Sequence, residues 1–382
     1  MTTTWGGSVA GMKVLTAGAG RAIGAATARE PAGGVSSNAG AHAAITLSRL
    51  GTVKVRTGTV ENVARVLRWG IIGTGGIART FARDVALTGV GVVAAVGSRT
   101  QSSADVFARE HSIPRSYGSY EQLVADGDVD VVYVATPHPM HYDNATLALE
   151  HDKPVLVEKA FTMTSDEARR LVAKARAKRL FLMEAMWTRC LPHIIEIRSI
   201  VASGELGRIV SVEADHGQWF ASDPEFRLFN PALGGGAMLD LGVYPVSFAS
   251  MVLGTPSRVT ALTQPAFTGV DGSVAMVFGY ESGAQAVLSC TSGAMTPTRA
   301  SISGTDARIE IAGSFYAPGP FMLVARNGDE RNFEFASVGR GLHYEAAEVA
   351  RCIEEGLPES PMMPLDESIS IMETMEQVLS LT

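Results

Sequence analysis

From residue 67 onward, short apolar runs alternate with stretches of helical spacing. The apolar runs are continuous, which is typical of parallel strands covered on both faces. The predicted strands are Leu67–Gly73, Val92–Val96, Val131–Ala135, Val155–Val157 and Leu180–Met183. The predicted helices between them are Ala78–Leu87, Ser102–Glu110, Asn144–Glu150 and Asp166–Lys178. This alternation predicts an α/β fold that begins with a doubly wound, Rossmann-type domain over residues 67–184.

The pattern changes near Ala185, where consecutive strand-like runs replace the alternation. Helical spacing predicts the helices Pro192–Ala202, Leu239–Leu253, Leu342–Glu355 and Glu367–Leu379. The extended runs are Arg208–Trp219, Arg258–Leu262, Ser273–Phe278, Ala284–Cys290, Arg299–Ile302 and Arg308–Ile311. Consecutive strands separated by turn residues are typical of an open, mainly antiparallel sheet. Residues 185–382 are therefore predicted to form an α+β domain.

The first 66 residues carry seven basic side chains against two acidic ones and show no sustained periodicity. They fit a poorly ordered extension, a targeting peptide, or upstream sequence from a start assigned too early. A targeting helix should be amphipathic, which the many glycines disfavour, so we expect an extension or a misassigned start. Within it, Val14–Gly24 resembles the opening of a dinucleotide-binding unit, but Pro31 and Gly33 interrupt the helix that such a unit needs. We interpret this segment as a chance match or a vestige.

Composition excludes several classes of protein. The 382 residues carry a formal charge of −7 and no basic block, which disfavours nucleic-acid binding. The longest apolar run, Gly89–Gly97, is less than half of the ~20 residues that a membrane-spanning helix needs. Three separated cysteines, Cys190, Cys290 and Cys352, fit a reducing cytoplasm better than a disulfide scaffold. We expect a cytoplasmic protein whose partners are small polar metabolites.

A glycine-rich turn follows the first predicted strand and comprises Gly73, Thr74, Gly75, Gly76 and Ile77. Glycines let the backbone turn tightly and approach a pyrophosphate, which the amides at the start of the next helix hold. Because strand, turn, helix and second strand occur in register, we predict a dinucleotide site here. The alternative is a glycine turn that serves packing alone.

The end of the second strand indicates which dinucleotide is bound. NAD sites usually carry an acidic residue about 20 residues beyond the glycines, whereas NADP sites place arginine there for the 2′-phosphate. This chain has Ser98 and Arg99 at that point and no carboxylate. A guanidinium pairs bidentately with phosphate, so NADP is the preferred cofactor and NAD the second candidate. A solvated surface arginine is the alternative interpretation.

Four motifs, in this order, resemble the Gfo/Idh/MocA oxidoreductases. They are Gly73–Ala78, Ala135–His141, Glu158–Lys159 and Gly234–Tyr244. The resemblance runs from about Leu67 to the C-terminus. Three further segments are similar to the branch with dimeric trans-dihydrodiol dehydrogenase and NADP-dependent D-xylose dehydrogenase: Met183–Arg189, Gly341–Glu345 and Glu359–Pro364.

The resemblance implies that Lys159 is a catalytic residue between the nicotinamide ribose and the substrate hydroxyl. It also implies that Tyr244 transfers the proton, with Asp240 one helical turn earlier. Tyrosine ordinarily titrates near pH 10, too high for an efficient base. We therefore expect positive charge from Lys159 and the oxidised nicotinamide to lower the pKa of Tyr244, and Asp240 to orient the ammonium. Alternatively, Asp240 is a satisfied buried acid and Tyr244 a core aromatic residue.

The chain departs from the family pattern at two places. The proline that follows the catalytic lysine in the family is Ala160 here, which removes a stiffening residue but no reacting group. The second arginine of some NADP-using relatives falls on Ser102 or Ser103. The second departure weakens the argument for NADP.

Further residues are assigned to the cofactor site. The resemblance places the segment after the third strand against the nicotinamide, and the residues assigned there and in the next motif are Thr136, Pro137, His138, His141 and Glu158. Trp187 and Arg189 follow the last strand of the first domain, where open α/β sheets place ligands, and Arg227 precedes the glycine run. For these three residues, core packing or a surface role is the alternative. The histidines lack the cysteine or carboxylate company of a typical metal site, so no metal is expected.

We predict an NADP-preferring oxidoreductase that transfers hydride between nicotinamide and a sugar, polyol or cyclic diol. One alternative is an NAD-dependent glycosidase on the same scaffold. Another is a cofactor-binding sensor without turnover, which the presence of Lys159, Asp240 and Tyr244 disfavours. An open sheet invites pairing through its face or edges, and the resemblance implies dimers or tetramers, so we expect a homo-oligomer with no nucleic-acid or membrane partner.

Overall fold

The computed structural model of the protein describes residues 54–56 and 66–381. The Val14–Gly24 segment and most of the predicted extension lie outside these residues. Lys54–Arg56 forms a short strand, β1, which the sequence pattern did not predict.

Six parallel strands form the first sheet and confirm the doubly wound fold. The strands β2 to β7 are Leu67–Ile72, Gly91–Gly97, Arg115–Tyr117, Val131–Val134, Val155–Glu158 and Leu182–Ala185. Their order in the sheet is β4-β3-β2-β5-β6-β7. The helices α1 to α5 are Gly76–Thr88, Gln101–His111, Tyr120–Val124, His141–Glu150 and Ser165–Lys178.

Local signals explain where these helices start. Thr100 caps α2 by accepting a hydrogen bond from the amide of Ser103, and Thr164 caps α5 by accepting from the amide of Glu167. In contrast, α1 begins after Gly75 without a side-chain cap. The pattern missed β4 and α3, and it placed β7 two residues too early, because these elements are too short to show a period.

Nine strands form the second sheet. The strands β8 to β15 are Ile209–Gly217, Arg258–Pro265, Asp271–Gly279, Gln285–Thr291, Ala300–Gly304, Ala307–Ile311, Phe321–Ala325 and Glu330–Phe335. Their order is β1-β15-β14-β13-β12-β8-β11-β10-β9. Neighbouring strands are antiparallel except for the parallel pairs β8–β11 and β1–β15. The sheet is therefore mainly antiparallel, as predicted.

Four helices accompany this sheet: α6 to α9 are Pro192–Ser203, Val243–Leu253, Leu342–Glu354 and Leu365–Ser380. A π-helical turn, Met238–Gly242, leads directly into α7. Helix α7 packs on β8 and β11, α9 packs on β9, and α8 packs on α1. These contacts join the two sheets around one continuous hydrophobic core.

Among the described residues, one segment is long and apolar enough to cross a membrane. It is Pro231–Leu253, with a mean hydropathy of 1.4. However, 72% of its apolar window is buried inside the structure. The segment therefore belongs to the protein core.

Candidate active site

A cleft of about 570 Å³ lies at the carboxyl ends of β2, β5 and β6 and is bounded on its other side by residues of the second sheet and the π-helical turn. Parallel α/β sheets place ligands at this edge. The predicted residues that line the cleft are Gly75, Gly76, Ile77, Thr136, Pro137, His138, Glu158, Lys159, Arg227, Asp240 and Tyr244. The predicted residues outside its lining are Gly73, Thr74, Ser98, Arg99, His141, Trp187 and Arg189.

The glycine turn is shaped to receive a diphosphate. Gly73 has φ +109°, and a Cβ there would lie 2.8 Å from the carbonyl oxygen of Ala135, so the position needs glycine. A Cβ at Gly75 or Gly76 would meet nothing within 4 Å, because both residues face open space. Since α1 has no side-chain cap, its first amides are available to an anion. The turn therefore fits the pyrophosphate of a dinucleotide.

The end of β3 carries a cation and several hydroxyl groups. Arg99 is exposed there, whereas Ser98 is buried. The hydroxyl of Thr100 donates to that of Ser103 over 2.9 Å and lies 3.3 Å from that of Ser102. In this fold class, the end of the second strand contacts the adenosine ribose. A guanidinium and neighbouring hydroxyls suit a 2′-phosphate at that position.

Lys159 and Arg227 enclose the carboxylate of Asp240. The Lys159 ammonium donates to Asp240 Oδ1 over 3.0 Å and to the Asp240 backbone oxygen over 2.8 Å. The Arg227 guanidinium donates to Oδ2 over 2.9 Å. The structure thus brings together the lysine and aspartate that the sequence predicted, and it adds Arg227 as a second partner of the carboxylate.

These contacts fix the charges of the pair. Burial opposes the charge of Asp240, but Lys159 and Arg227 outweigh it and hold the pKa of that carboxyl far below its usual value. Burial also opposes the ammonium of Lys159, yet Asp240 outweighs it and raises the pKa of Lys159. Both side chains are therefore charged near neutral pH.

Tyr244 presents its ring to the ammonium and its hydroxyl to Trp187. Lys159 Nζ lies 4.9 Å from the centre of the Tyr244 ring, and the indole Nε1 of Trp187 donates to the Tyr244 oxygen over 3.0 Å. Burial raises the pKa of Tyr244 more than Lys159 and Trp187 lower it. In the protein alone, the expected lowering of this pKa is therefore wrong: desolvation outweighs the neighbouring positive charge.

The two histidines after β5 bond to backbone oxygens. His141 is fully buried, and its ring nitrogens lie 2.8 Å from the oxygen of Thr136 and 2.9 Å from that of Ala160. His138 Nε2 lies 3.2 Å from the oxygen of Lys159, and burial lowers the pKa of His138 to about 3. A neutral imidazole donates a single hydrogen bond, so each ring can bind one backbone oxygen, and the oxygens of Lys159 and Ala160 within their reach lie on the loop that carries Lys159. His141 does not reach the cleft.

Glu158 lies beside Lys159 and accepts a hydrogen bond from the hydroxyl of buried Tyr133. Burial raises the pKa of Glu158 to about 7. Its carboxyl therefore adds little negative charge to the cleft below neutral pH.

The structure corrects the predicted role of Arg189 as a cofactor contact. Its side chain is 2% exposed, its Nε donates to Ser247 Oγ over 3.0 Å, and its Nη2 pairs with Glu367 over 2.6 Å. The guanidinium thereby joins the segment after β7 to α7 and α9. It is a buried structural ion pair outside the cleft.

The sequence reasoning missed several residues that line the cleft. His216 and Gln218 lie at and after the end of β8, and Tyr316 and Arg340 lie in loops. The His216 ring stacks on Tyr316 with centres 4.4 Å apart, and burial lowers the pKa of His216 to about 4. Polar residues at the end of an apolar strand are a signal that could have pointed to His216 and Gln218, whereas Tyr316 and Arg340 carry no such signal.

Comparisons with known proteins agree with this architecture. Residues 67–186 match the model of an oxidoreductase family with an NAD-binding Rossmann fold, and residues 194–310 match the GFO/IDH/MocA C-terminal domain. The chain is 37% identical over 356 residues to D-xylose 1-dehydrogenase (NADP(+)) of Hypocrea jecorina, covering 82% of this chain and 91% of the relative. It is 38% identical over 325 residues to trans-1,2-dihydrobenzene-1,2-diol dehydrogenase of Sus scrofa, covering 82% and 96%.

Solved structures share the fold. Aldose-aldose oxidoreductase from Caulobacter crescentus, complexed with glycerol, has a TM-score of 0.75 at 25% identity and covers 83% of this chain and 97% of its own. Levoglucosan dehydrogenase, in complex with NADH and levoglucosan, has a TM-score of 0.76 at 19% identity with the same coverage. These matches confirm the resemblance expected from the motifs: the chain belongs to the Gfo/Idh/MocA family of oxidoreductases.

Proposed function

We propose that this protein is an NADP-preferring dehydrogenase or reductase that acts on a hydroxyl-bearing carbon of a sugar or cyclic diol. The observation that carries the proposal is the arrangement of Lys159, Asp240 and Tyr244 in a cleft that begins at the glycine turn. The names of the two curated relatives, a xylose and a dihydrodiol dehydrogenase, support this substrate class.

The cofactor preference rests on the end of β3. Arg99 and the hydroxyls of Thr100, Ser102 and Ser103 offer a site for a 2′-phosphate, and the Hypocrea relative is named for NADP. The glycine turn and the uncapped start of α1 would hold the pyrophosphate shared by both dinucleotides. NAD is the second candidate cofactor.

The charged residues would position and polarise the reacting oxygen. The ammonium of Lys159, held by Asp240, can donate a hydrogen bond to a substrate oxygen and stabilise negative charge there. Arg227 keeps Asp240 ionised, so the ammonium stays charged and oriented. A bound nicotinamide would exchange a hydride with the substrate carbon.

Tyr244 is proposed to move the proton. Because Trp187 donates to its oxygen, the Tyr244 hydroxyl hydrogen is free to point toward a ligand. At neutral pH the phenol is protonated, which suits donation to a carbonyl oxygen during reduction. In oxidation, the tyrosine must first lose its proton and then accept the proton of the substrate hydroxyl. Tyr244 and Lys159 therefore share the handling of the oxygen.

A spectrophotometric screen tests this function. Aldoses, polyols, anhydro-sugars and cyclic diols are offered with NADP⁺ and NAD⁺, and the corresponding carbonyl compounds with NADPH and NADH. We expect net nicotinamide turnover with at least one sugar or diol and a higher kcat/KM with the NADP pair. Turnover of substrate without net change in nicotinamide absorbance would favour a glycosidase, and cofactor binding without any turnover would favour a sensor.

We also propose that the protein is a cytoplasmic homo-oligomer. The proposed limits of its two domains are residues 67–184 and 185–382. One face of the second sheet carries exposed apolar side chains, and Val277 lies directly opposite Val287 on neighbouring strands. Exposed apolar sheet faces are typical of subunit contacts. A second copy of this chain is the proposed occupant of that face.

A further inference from the structure

A short loop before α8 is tied to the helix that follows the glycine turn. The carboxylate of Asp84, on α1, is 3% exposed and accepts hydrogen bonds from the backbone amides of Arg340, Gly341 and Leu342 over 2.7 to 3.0 Å. Helix α8 has no side-chain cap from its own N-cap residue, Gly341. Asp84 therefore supplies that cap from the other domain.

The loop follows a path that two glycines permit. Gly339 has φ +62°, and a Cβ there would lie 2.4 Å from Asp84 Oδ1. Gly341 has φ +105°, and a Cβ there would lie 2.9 Å from Leu191 Cδ2. The backbone on both sides of Arg340 thus packs closely against α1 and against the segment after β7. This packing fixes the position of the Arg340 Cα atom.

The side chain of Arg340 lines the same cleft as the glycine turn. Its guanidinium lies 5.7 Å from the centre of the Trp187 ring. Among the described residues, no acidic side chain forms an ion pair with it, whereas Lys159 and Arg227 both face Asp240. Within the described part of the chain, Arg340 is therefore a positive charge without an ion-pair partner at the rim of the cleft.

The position of Asp84 indicates which part of a bound ligand would lie next to the Arg340 guanidinium. Gly76, Thr80 and Asp84 are spaced four residues apart and share one face of α1, and the first two line the cleft. The loop that Asp84 holds therefore lies along the helix face that leads back to the phosphate-binding turn. An arginine suits the paired oxygens of a diphosphate.

We propose that Arg340 is a cofactor-binding residue that contacts the pyrophosphate of the dinucleotide from the second domain, and that Asp84 is its positioning residue. This assignment rests on the proposed dinucleotide site. It means that the two domains share the cofactor, and that the cap between them determines how well the cofactor is held.

Isothermal titration of the full chain with NAD⁺, NADP⁺ and ADP-ribose tests the assignment. ADP-ribose keeps both phosphates but lacks nicotinamide. We expect Arg340→Gln to weaken all three ligands by the same factor, about ten- to a hundredfold. Arg326→Gln, an exposed arginine whose side chain is 81% accessible and lies outside the cleft, should leave the three affinities unchanged.

Three other outcomes would overturn the assignment. Unchanged affinities in Arg340→Gln, with or without a rise in substrate KM, would refute the contact, and a loss confined to NADP⁺ would place the arginine at the 2′-phosphate instead. A wild-type chain that binds none of the three ligands would refute the proposed function, and this assignment with it.

A double-mutant cycle tests the role of Asp84. Asp84→Asn should weaken ADP-ribose in the wild-type background but have little further effect in Arg340→Gln, because the carboxylate acts through the arginine. Equal losses in both backgrounds would show that Asp84 serves the fold alone.

Discussion

The indole of Trp187 donates a hydrogen bond to the phenol oxygen of Tyr244 over 3.0 Å. This bond favours the phenolate over the phenol, because a donor to the oxygen stabilises negative charge there. It acts in the same direction as the nearby ammonium of Lys159 and against the effect of burial. A residue outside the cleft lining thus contributes to the acidity of Tyr244.

Replacing this indole should shift the pH dependence of the reaction. Trp187→Phe keeps an aromatic ring but removes the donor, so the pKa of Tyr244 should rise further. In the proposed mechanism, oxidation needs the deprotonated tyrosine, so the pH–rate profile of oxidation should move to higher pH by about one unit and kcat at neutral pH should fall about tenfold. Trp69→Phe is the matched control, because the Trp69 indole nitrogen is buried and has no hydrogen-bond partner among the described residues. Identical profiles for Trp187→Phe and the wild type would contradict the role of this bond.

Removing the phenol should abolish most turnover. Tyr244→Phe deletes the group that we propose transfers the proton, and it is expected to lower kcat by about 10²- to 10⁴-fold while leaving the Kd for NADPH unchanged. Steady-state kinetics and a binding titration measure the two quantities separately. Tyr280→Phe is the control, because the Tyr280 hydroxyl is buried, lies outside the cleft and has no hydrogen-bond partner among the described residues. This variant should retain full activity. Undiminished kcat in Tyr244→Phe would assign the proton to another group.

Arg99 should determine the choice of dinucleotide. Arg99→Ala removes the cation at the end of β3 and is expected to weaken NADP⁺ about ten- to a hundredfold while changing NAD⁺ little. Fluorescence titration of both cofactors checks the ratio. Arg109→Ala, an exposed arginine in the last turn of α2, is the control. Equal losses for both cofactors would show that Arg99 does not read the 2′-phosphate.

A buried acid should make stability depend on pH. Glu184 is 1% exposed, and burial raises its pKa to about 7. The unfolded chain ionises this group near pH 4.5, so the free energy of unfolding should fall as pH rises from about 5 to 7, by roughly 1.4 kcal/mol per pH unit.

Thermal denaturation of Glu184→Gln checks this dependence. The amide cannot ionise, so the variant should gain stability over the wild type at pH 8 and show a smaller gain at pH 5. A gain of equal size at both values would indicate a packing effect rather than titration.

The exposed face of the second sheet should hold subunits together. Val277 and Val287 are 45% and 49% exposed and lie opposite each other. Val287→Asp places a charge there, so sedimentation velocity should show smaller particles than for the wild type. Val106→Asp, on α2, should leave the particle size unchanged. A monomeric wild type at micromolar concentration would refute the proposed oligomer.

Local patterns predicted the parts of the fold that depend on neighbouring residues. The glycine turn at Gly73–Ile77 and the alternation of strands and helices are properties of short stretches, and the structure contains both. The last two strands, Phe321–Ala325 and Glu330–Phe335, were missed. The second of them carries charged residues; it forms a hairpin with the first and pairs on its other side with Lys54–Arg56, which is distant in sequence.

Prediction of the cleft residues from sequence has the same limit. Lys159, Asp240 and Tyr244 were found through motifs, but Tyr316 and Arg340 reach the cleft from loops that carry no motif. Arg189 and His141 lie within recognised segments, yet their side chains turn into the protein, where they bond to Glu367 and to backbone oxygens. A motif predicts which segments lie near the site, whereas the direction of each side chain depends on the packing of elements distant in sequence.

The π-helical turn has a consequence for how this family site can change. Because the turn holds one residue more than α-helical geometry requires, losing that residue would let Met238–Gly242 relax to an ordinary α-helix and leave the orientation of α7 nearly unchanged. Tyr244, on α7, would then stay near Lys159, whereas Asp240, inside the turn, would shift relative to the ammonium that it holds. A change of length in this segment should therefore act on the carboxylate–ammonium pair before it acts on the tyrosine.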